Sequence, residues 1–238
     1  MKKVIIIGAT SGIGRELAKL YAKNNWLVGI TGRRKELLDS LQKEFPNNII
    51  RECFDVTKDN NIEYLQFLLQ QLGGLDLLIY NSGIGEVSES LDLAIDINTV
   101  KTNVLGFTEI VNFAFNYFAK EGKGHIAAIS SIGSIRGNSF APAYSASKAY
   151  VSNYMEGLFI KSTRMKLPVY ITDIQPGFVK TKMAKSPKLF WVASVEKAAN
   201  QIFTAIQNKK RRAYITRRWW LIATFMKYLP ISIYKKVA

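Results

Sequence analysis

The sequence predicts a single α/β domain: one doubly wound parallel sheet of about seven strands with helices on both faces, followed by a basic, aromatic-rich C-terminal tail. Three observations carry that prediction. Seven apolar runs alternate with seven helix-length stretches, the order that gives right-handed crossovers and a parallel sheet. The first run, Val4-Ile5-Ile6-Ile7, carries no charge and ends in Gly8-Ala9-Thr10-Ser11-Gly12-Ile13-Gly14, directly before a helical pattern. The chain has 238 residues, 48% of them apolar, enough for one large core and contrary to disorder.

The strand expected over residues 3–7 reads as buried on both faces, because it shows no polar alternation. The glycines after it let the backbone turn tightly and let a pyrophosphate approach without meeting a Cβ. A helix from about Ile13 to Asn24 then aims free N–H groups and its positive dipole end at that anion. The spacing is G-x-x-x-G-x-G, and a bare strand–helix connection is the plainer alternative. Strand, turn and helix in the required order favour the binding reading. Further strands are expected at 26–31, 49–53, 76–80, 124–130, 168–174 and 212–216. Helices are expected at 34–44, 58–72, 88–101, 102–120, 142–166 and 194–208. Ligands of such sheets sit at the carboxyl ends of the strands, where Gly8, Gly32, Asp55, Asn81, Ser131 and Pro176-Gly177 fall. Residues 1–208 are expected to form the sheet domain, with its last strand reaching about 216, and 217–238 a basic amphipathic extension.

Composition narrows the function classes. The lone cysteine, Cys53, rules out an intrachain disulfide and reads as an inert thiol, which fits a cytoplasmic protein. Met1-Lys2-Lys3 before an apolar run imitates a signal peptide, but the run breaks at Gly8 and Arg15 and Glu16 follow. No apolar stretch approaches the ~20 residues of a membrane span. No metal site is expected. The net charge of +15 is unevenly placed. Residues 1–176 carry 19 basic and 17 acidic side chains; residues 177–238 carry 14 basic and one acidic. The basic character therefore belongs to the C-terminal quarter.

Tyr144 and Lys148 stand four apart on an expected helix, within reach of each other. A nearby ammonium lowers a phenol's pKa toward the range of a useful acid or base. Y-x-x-x-K alone is common, and a solvated helix face would explain it. The conjunction matters more. Ser131 lies thirteen residues before Tyr144 in Ile129-Ser130-Ser131-Ile132-Gly133; upstream is Lys101-Thr102-Asn103-Val104-Leu105-Gly106; downstream is Pro176-Gly177-Phe178-Val179-Lys180-Thr181. With the glycine-rich turn, this pattern resembles the short-chain dehydrogenase/reductase family, whose motifs run in this order from residue 8 to 181.

The resemblance implies a Rossmann-type fold and a set of roles. Tyr144 would donate a proton to a substrate carbonyl or accept one from an alcohol. Lys148 would tune the tyrosine and bind the nicotinamide ribose, Ser131 would hold the substrate oxygen, and Asn103 would continue a proton relay. The turn holding Gly8, Ser11, Gly12, Ile13 and Gly14 would lie against the pyrophosphate. Asp55 and Val56 would meet adenine, Asn81 and Gly83 would run along the cofactor, and Pro176, Gly177 and Thr181 would meet the nicotinamide. Taken singly, Asn103 and Thr181 also suit a helix cap or a solvated surface. The sequence departs from the family at Tyr80-Asn81-Ser82-Gly83, where Asn-Asn-Ala-Gly is usual; Tyr80 alters the hydrogen bonding that supports the central sheet.

An NAD site places a carboxylate at the end of the second strand. Here Gly32 stands in that place and Arg33-Arg34 follow, with no acid between Glu16 and Glu36. Absence of the acid and presence of a guanidinium fork point to NADPH rather than NADH, gripped by Arg33 with Arg34 assisting, against the alternative of two solvated arginines. The segment 178–193, with Phe178, Met183, Leu189, Phe190 and Trp191, is expected over the site, with Phe140 before the helix of Tyr144. It points to a lipophilic carbonyl or alcohol, or else these side chains simply pack on the body.

The tail from Tyr214 to Pro230 sets an aromatic-rich core between bases. It suits an anionic membrane surface, a helix packed on the body, or, last in rank, nucleic acid. The expected protein is an NADPH-dependent oxidoreductase and a homo-oligomer, cytoplasmic or peripheral at the inner membrane surface. The alternative is a non-catalytic nucleotide-sensing or scaffold protein on the same fold. The complete set Asn103, Ser131, Tyr144 and Lys148 argues for the enzyme.

Overall fold

A computed structural model of the chain describes residues 1–87, 90–181 and 190–235. Seven parallel strands form one sheet: β1 (Lys3–Ile7), β2 (Leu27–Gly32), β3 (Ile49–Cys53), β4 (Leu77–Tyr80), β5 (Gly124–Ile129), β6 (Val169–Pro176) and β7 (Arg212–Ile215). Their order is β3-β2-β1-β4-β5-β6-β7. The winding reverses between β1 and β4, and the strand ends open a crevice there.

Alternation along the strands builds two cores. Val4 and Ile6 of β1 face helices α1 (Gly12–Lys23), α2 (Lys35–Glu44) and α7 (Val195–Gln207). Ile5 and Ile7 face α3 (Asn61–Leu72), α5 (Gly106–Glu121) and α6 (Pro142–Arg164). Both faces of the sheet are covered, which is why the central strands read as unbroken apolar runs.

The expected and observed elements agree closely, with instructive shifts. The helix expected from residue 88 begins instead as α4 (Leu93–Val100). Asp92 sets that start, because its side chain accepts a hydrogen bond from the Ala94 amide at 2.8 Å. Between α4 and α5 lies a π turn, Lys101–Leu105, so the two helices expected there are one rod with an inserted residue. After β7 come α8 (Trp219–Tyr228) and the short α9 (Ile231–Tyr234). No helix among the described residues is long and apolar enough to cross a membrane.

Candidate active site

The ends of β1, β4, β5 and β6 converge on the crevice. Gly8 leaves β1 at a φ of +87°, a left-handed conformation open to glycine. The Asn81 amide donates to the Gly8 carbonyl at 2.7 Å and so ties β4 to the turn. A Cβ at Gly14 would collide with that carbonyl and that amide, so only glycine lets α1 begin here. Gly12 faces Thr181, whose methyl would lie 3.4 Å from a Cβ at position 12. Residues 169 positions apart in sequence thus meet at the glycine turn.

The first turn of α1 holds no acid, and the Ser11 side chain makes no capping bond to it. Its N–H donors are therefore offered to the crevice, which fits a dinucleotide's pyrophosphate. Asp55 is braced by Thr57, whose amide and hydroxyl both donate to Oδ1 at 3.0 Å. Val56 is buried behind it and packs under Gly106.

The two arginines after β2 differ. Arg33 is exposed and stands 3.7 Å from the Asp55 carboxylate. Arg34 reaches back to the glycine turn and donates to Thr10 Oγ1 at 2.5 Å and Ser11 Oγ at 2.8 Å. Gly32 is required by the same contact region: a Cβ there would lie 2.5 Å from the Thr10 methyl.

The four residues expected to act on substrate lie together across the crevice. Ser131 ends β5 and starts a short turn, its Oγ accepting from the Gly133 amide at 3.0 Å. The Ser131 hydroxyl also stands near enough to the Tyr144 phenol to lower its pKa. Tyr144 sits in the first turn of α6, where Pro142 begins the helix at no cost in hydrogen bonding. A Cβ on Gly85 would come within 2.7 Å of the Tyr144 ring, so the loop after β4 must carry glycine there.

Lys148 is 5% exposed; its Nζ donates to the Ile129 carbonyl at 2.9 Å and lies 5.9 Å from the centre of the Tyr144 ring. Burial lowers the ammonium's pKa to about 8, and the Asp173 carboxylate pulls it back up. Burial raises the Tyr144 pKa, opposed by the Ser131 hydroxyl. The phenol therefore carries its proton at neutral pH.

Asn103 projects from the π turn and is buried. Its side chain accepts from the Ile84 amide at 2.9 Å, donates to the Ile84 carbonyl at 2.8 Å and donates to Ser147 Oγ at 2.9 Å. Ser147 in turn donates to the Tyr144 carbonyl at 2.7 Å. Asn103 thus pins the loop holding Gly83 and Gly85 to the helix carrying Tyr144 and Lys148. A Cβ at Gly83 would sit 3.1 Å from the Lys148 ammonium, which marks how closely that loop passes. Tyr80, the departure noted in sequence, donates its hydroxyl to the Thr102 carbonyl at 3.0 Å and stacks edge-on against Phe107.

Behind the site, Asp173 is buried and accepts from Ser130, from Ser152 at 2.7 Å and from Gln175 at 2.7 Å, with Arg212 at 3.3 Å. This cluster binds β6 to β5 and α6. Pro176 ends β6, and Trp219 of α8 packs on Gly177 after it, where any Cβ would strike the indole. Phe178, Phe190, Trp191 and Trp219 form one aromatic cluster, with ring centres 5.2–5.9 Å apart. Phe140 is exposed before α6. Met183 and Leu189 lie outside the described residues. Sequence reasoning did not single out Gly85, Ser147 or Asp173, and it set Trp219 among the tail residues that would enter a membrane surface, whereas Trp219 is buried over Gly177. A second glycine two residues after Gly83 was a legible signal for the first of these.

A family model described as short chain dehydrogenase matches residues 2–190. An uncharacterized oxidoreductase of Myxococcus xanthus is 32% identical over 190 residues, covering 76% of this chain and 74% of its own. A crystal structure of 3-ketoacyl-(acyl-carrier-protein) reductase from Brucella melitensis, complexed with NADH, superposes with a TM-score of 0.80 at 21% identity, covering 90% of this chain and 94% of that one. The closed form of serine dehydrogenase complexed with NADP+ superposes with a TM-score of 0.77 at 22% identity, covering 86% and 88%. The convergence of the glycine turn, Ser131, Tyr144 and Lys148 on one crevice and the match over most of the chain lead to one conclusion: this protein belongs to the short-chain dehydrogenase family of NAD(P)-dependent oxidoreductases.

Proposed function

We propose that this enzyme uses NADPH to reduce the carbonyl group of a lipophilic compound to an alcohol, and can run the reverse oxidation. The observation that carries this reading is the Tyr144 phenol beside Ser131, with the Lys148 ammonium 5.9 Å from its ring and burial keeping it protonated. Bound in the crevice, the cofactor supplies hydride. The chain supplies the rest. Ser131 holds the substrate oxygen, Tyr144 hands it a proton, and Lys148 places a positive charge near the tyrosine as that proton leaves. Asn103 keeps the loop and helix that frame this pair in register.

NADPH preference rests on the arginines and on Gly32. Arg34 lies on Thr10 and Ser11 at the glycine turn, and we assign it the grip on the 2′-phosphate, with Arg33 assisting. No carboxylate at position 32 opposes that charge. The aromatic cluster around Phe178, with the exposed Phe140, supports an apolar substrate.

The direct experiment follows NADPH and NADH absorbance over a panel of aliphatic and aromatic carbonyl compounds of increasing chain length. The expected outcome is consumption of NADPH in preference to NADH, with kcat/KM rising with apolar size. Arg34→Ala should weaken NADPH by roughly ten- to hundredfold, the worth of a charge-assisted contact, and leave NADH unchanged. Equal use of both cofactors by the parent enzyme would overturn the preference.

A further inference from the structure

Helix α8 is apolar on both of its faces. Inward, Trp219 and Ala223 are each 2% exposed and pack on Ile132, with Phe178 and Tyr214 beside them. Outward, Leu221, Phe225 and Tyr228 stand at i, i+4 and i+7 and are 58%, 65% and 75% exposed. Ile231, opening α9, continues the stripe at 67% exposed. A surface helix of a soluble protein turns polar residues to water, so an exposed stripe of this kind marks a contact.

The platform under this stripe is fixed. Arg136 donates to the Met226 and Leu229 carbonyls at 3.1 and 2.7 Å, closing the C-terminus of α8, and lies 4.5 Å over the Tyr234 ring. Tyr234 donates to the Gly137 carbonyl at 2.7 Å. The outward side chains are thus presented by a helix that is docked on its other side.

Charge identifies the occupant. Arg217, Arg218, Lys227 and Lys235 are exposed around the stripe, and among the described residues none has a carboxylate within ion-pairing distance. The last acid in the chain is Glu196, and ten basic residues follow it. A second copy of this face, related by a two-fold axis, would set these cations against one another. A bilayer bearing anionic headgroups offers both partners at once: phosphate oxygens for the bases and acyl chains for Leu221, Phe225 and Ile231, with Tyr228 at the level where a phenol is both wetted and buried.

We propose that the outer face of α8 and α9 lies in the surface of an anionic lipid bilayer. The inner face of the same helix covers Gly177 and joins the aromatic cluster of Phe178, Phe190 and Trp191, with Arg218 stacked on Trp191 at 4.8 Å. Docking therefore brings the apolar margin of the crevice to the lipid surface, where a lipophilic carbonyl compound is most concentrated. That consequence rests on the proposed substrate class; the docking itself does not.

The test is co-sedimentation of the full-length protein with phosphatidylcholine vesicles, with and without phosphatidylglycerol, at low and high salt. Binding is expected to the phosphatidylglycerol vesicles at low salt, to fall steeply with salt, and to be weak on phosphatidylcholine alone. Leu221→Glu with Phe225→Glu, both at exposed positions, should weaken binding by roughly tenfold or more while leaving NADPH binding intact. Failure of the parent protein to bind phosphatidylglycerol vesicles would overturn the proposal. So would unchanged binding by the double variant, or a concentration-dependent dimer that Phe225→Glu dissociates. In each case turnover of soluble carbonyl compounds would stand, separating this failure from failure of the proposed reaction.

Discussion

At the scale of single residues, burial decides protonation. His125, the one histidine, is 8% exposed at the start of β5 and shares a hydrogen bond of 2.8 Å with Thr172. Desolvation, helped by Lys209, lowers its pKa to about 4. The unfolded chain takes up that proton near pH 6.5, so folding becomes less favourable as pH falls below 6.5 and the loss stops near pH 4. Between pH 6.5 and 5 the loss amounts to about 2 kcal/mol. His125→Gln should flatten the pH dependence of the unfolding midpoint over that window; an equally steep dependence in the variant would place its origin elsewhere. Gly8, Gly32, Asn81, Ser131 and Pro176 could be placed because apolar runs mark the strand ends, whereas Asn103 in the π turn and Lys148 within α6 stood out only through the resemblance to the family. Sequence put Arg33 first at the 2′-phosphate with Arg34 assisting, whereas it is Arg34 that lies on the glycine turn and Arg33 that stands by Asp55. Which of two adjacent guanidinium groups turns toward Thr10 and Ser11 depends on the packing of β2 against the glycine turn.

At the scale of elements, the π turn Lys101–Leu105 does what a regular helix could not. One inserted residue rotates Asn103 inward to bridge Ile84 and Ser147. Tyr80 holds the turn from below through the Thr102 carbonyl. Tyr80→Phe removes that donor and leaves a buried carbonyl without it, at a cost of roughly 1–3 kcal/mol. Because the turn carries Asn103, kcat should fall while NADPH affinity holds; a variant that loses stability with kcat untouched would mean that Tyr80 serves the core alone. The two helices over this region were predictable from apolar spacing, but the insertion was not, since one extra residue barely alters a 3.6-residue period. The start of α4 was misplaced because Asp92 caps it by a local side-chain bond that hydrophobic pattern does not register.

At the scale of the whole molecule, a seven-strand parallel sheet brings four strand ends to one crevice, and the basic tail folds back over the last of them. The alternation of apolar runs and helices made the sheet legible, and the partition of charge marked the tail as separate in character. Sequence left open whether the tail packs on the body or faces outward. It does both, because Trp219 and Ala223, packed on Ile132 and over Gly177, share a helix with the exposed Leu221, Phe225 and Tyr228. The account as a whole turns on Tyr144 as the proton donor of this crevice. Its most direct test is the turnover of the best carbonyl substrate by Tyr144→Phe, measured together with NADPH affinity by fluorescence titration. The account predicts near-normal NADPH binding and a loss of kcat of roughly 10²–10⁴-fold. Near-normal turnover by the phenylalanine variant would contradict it.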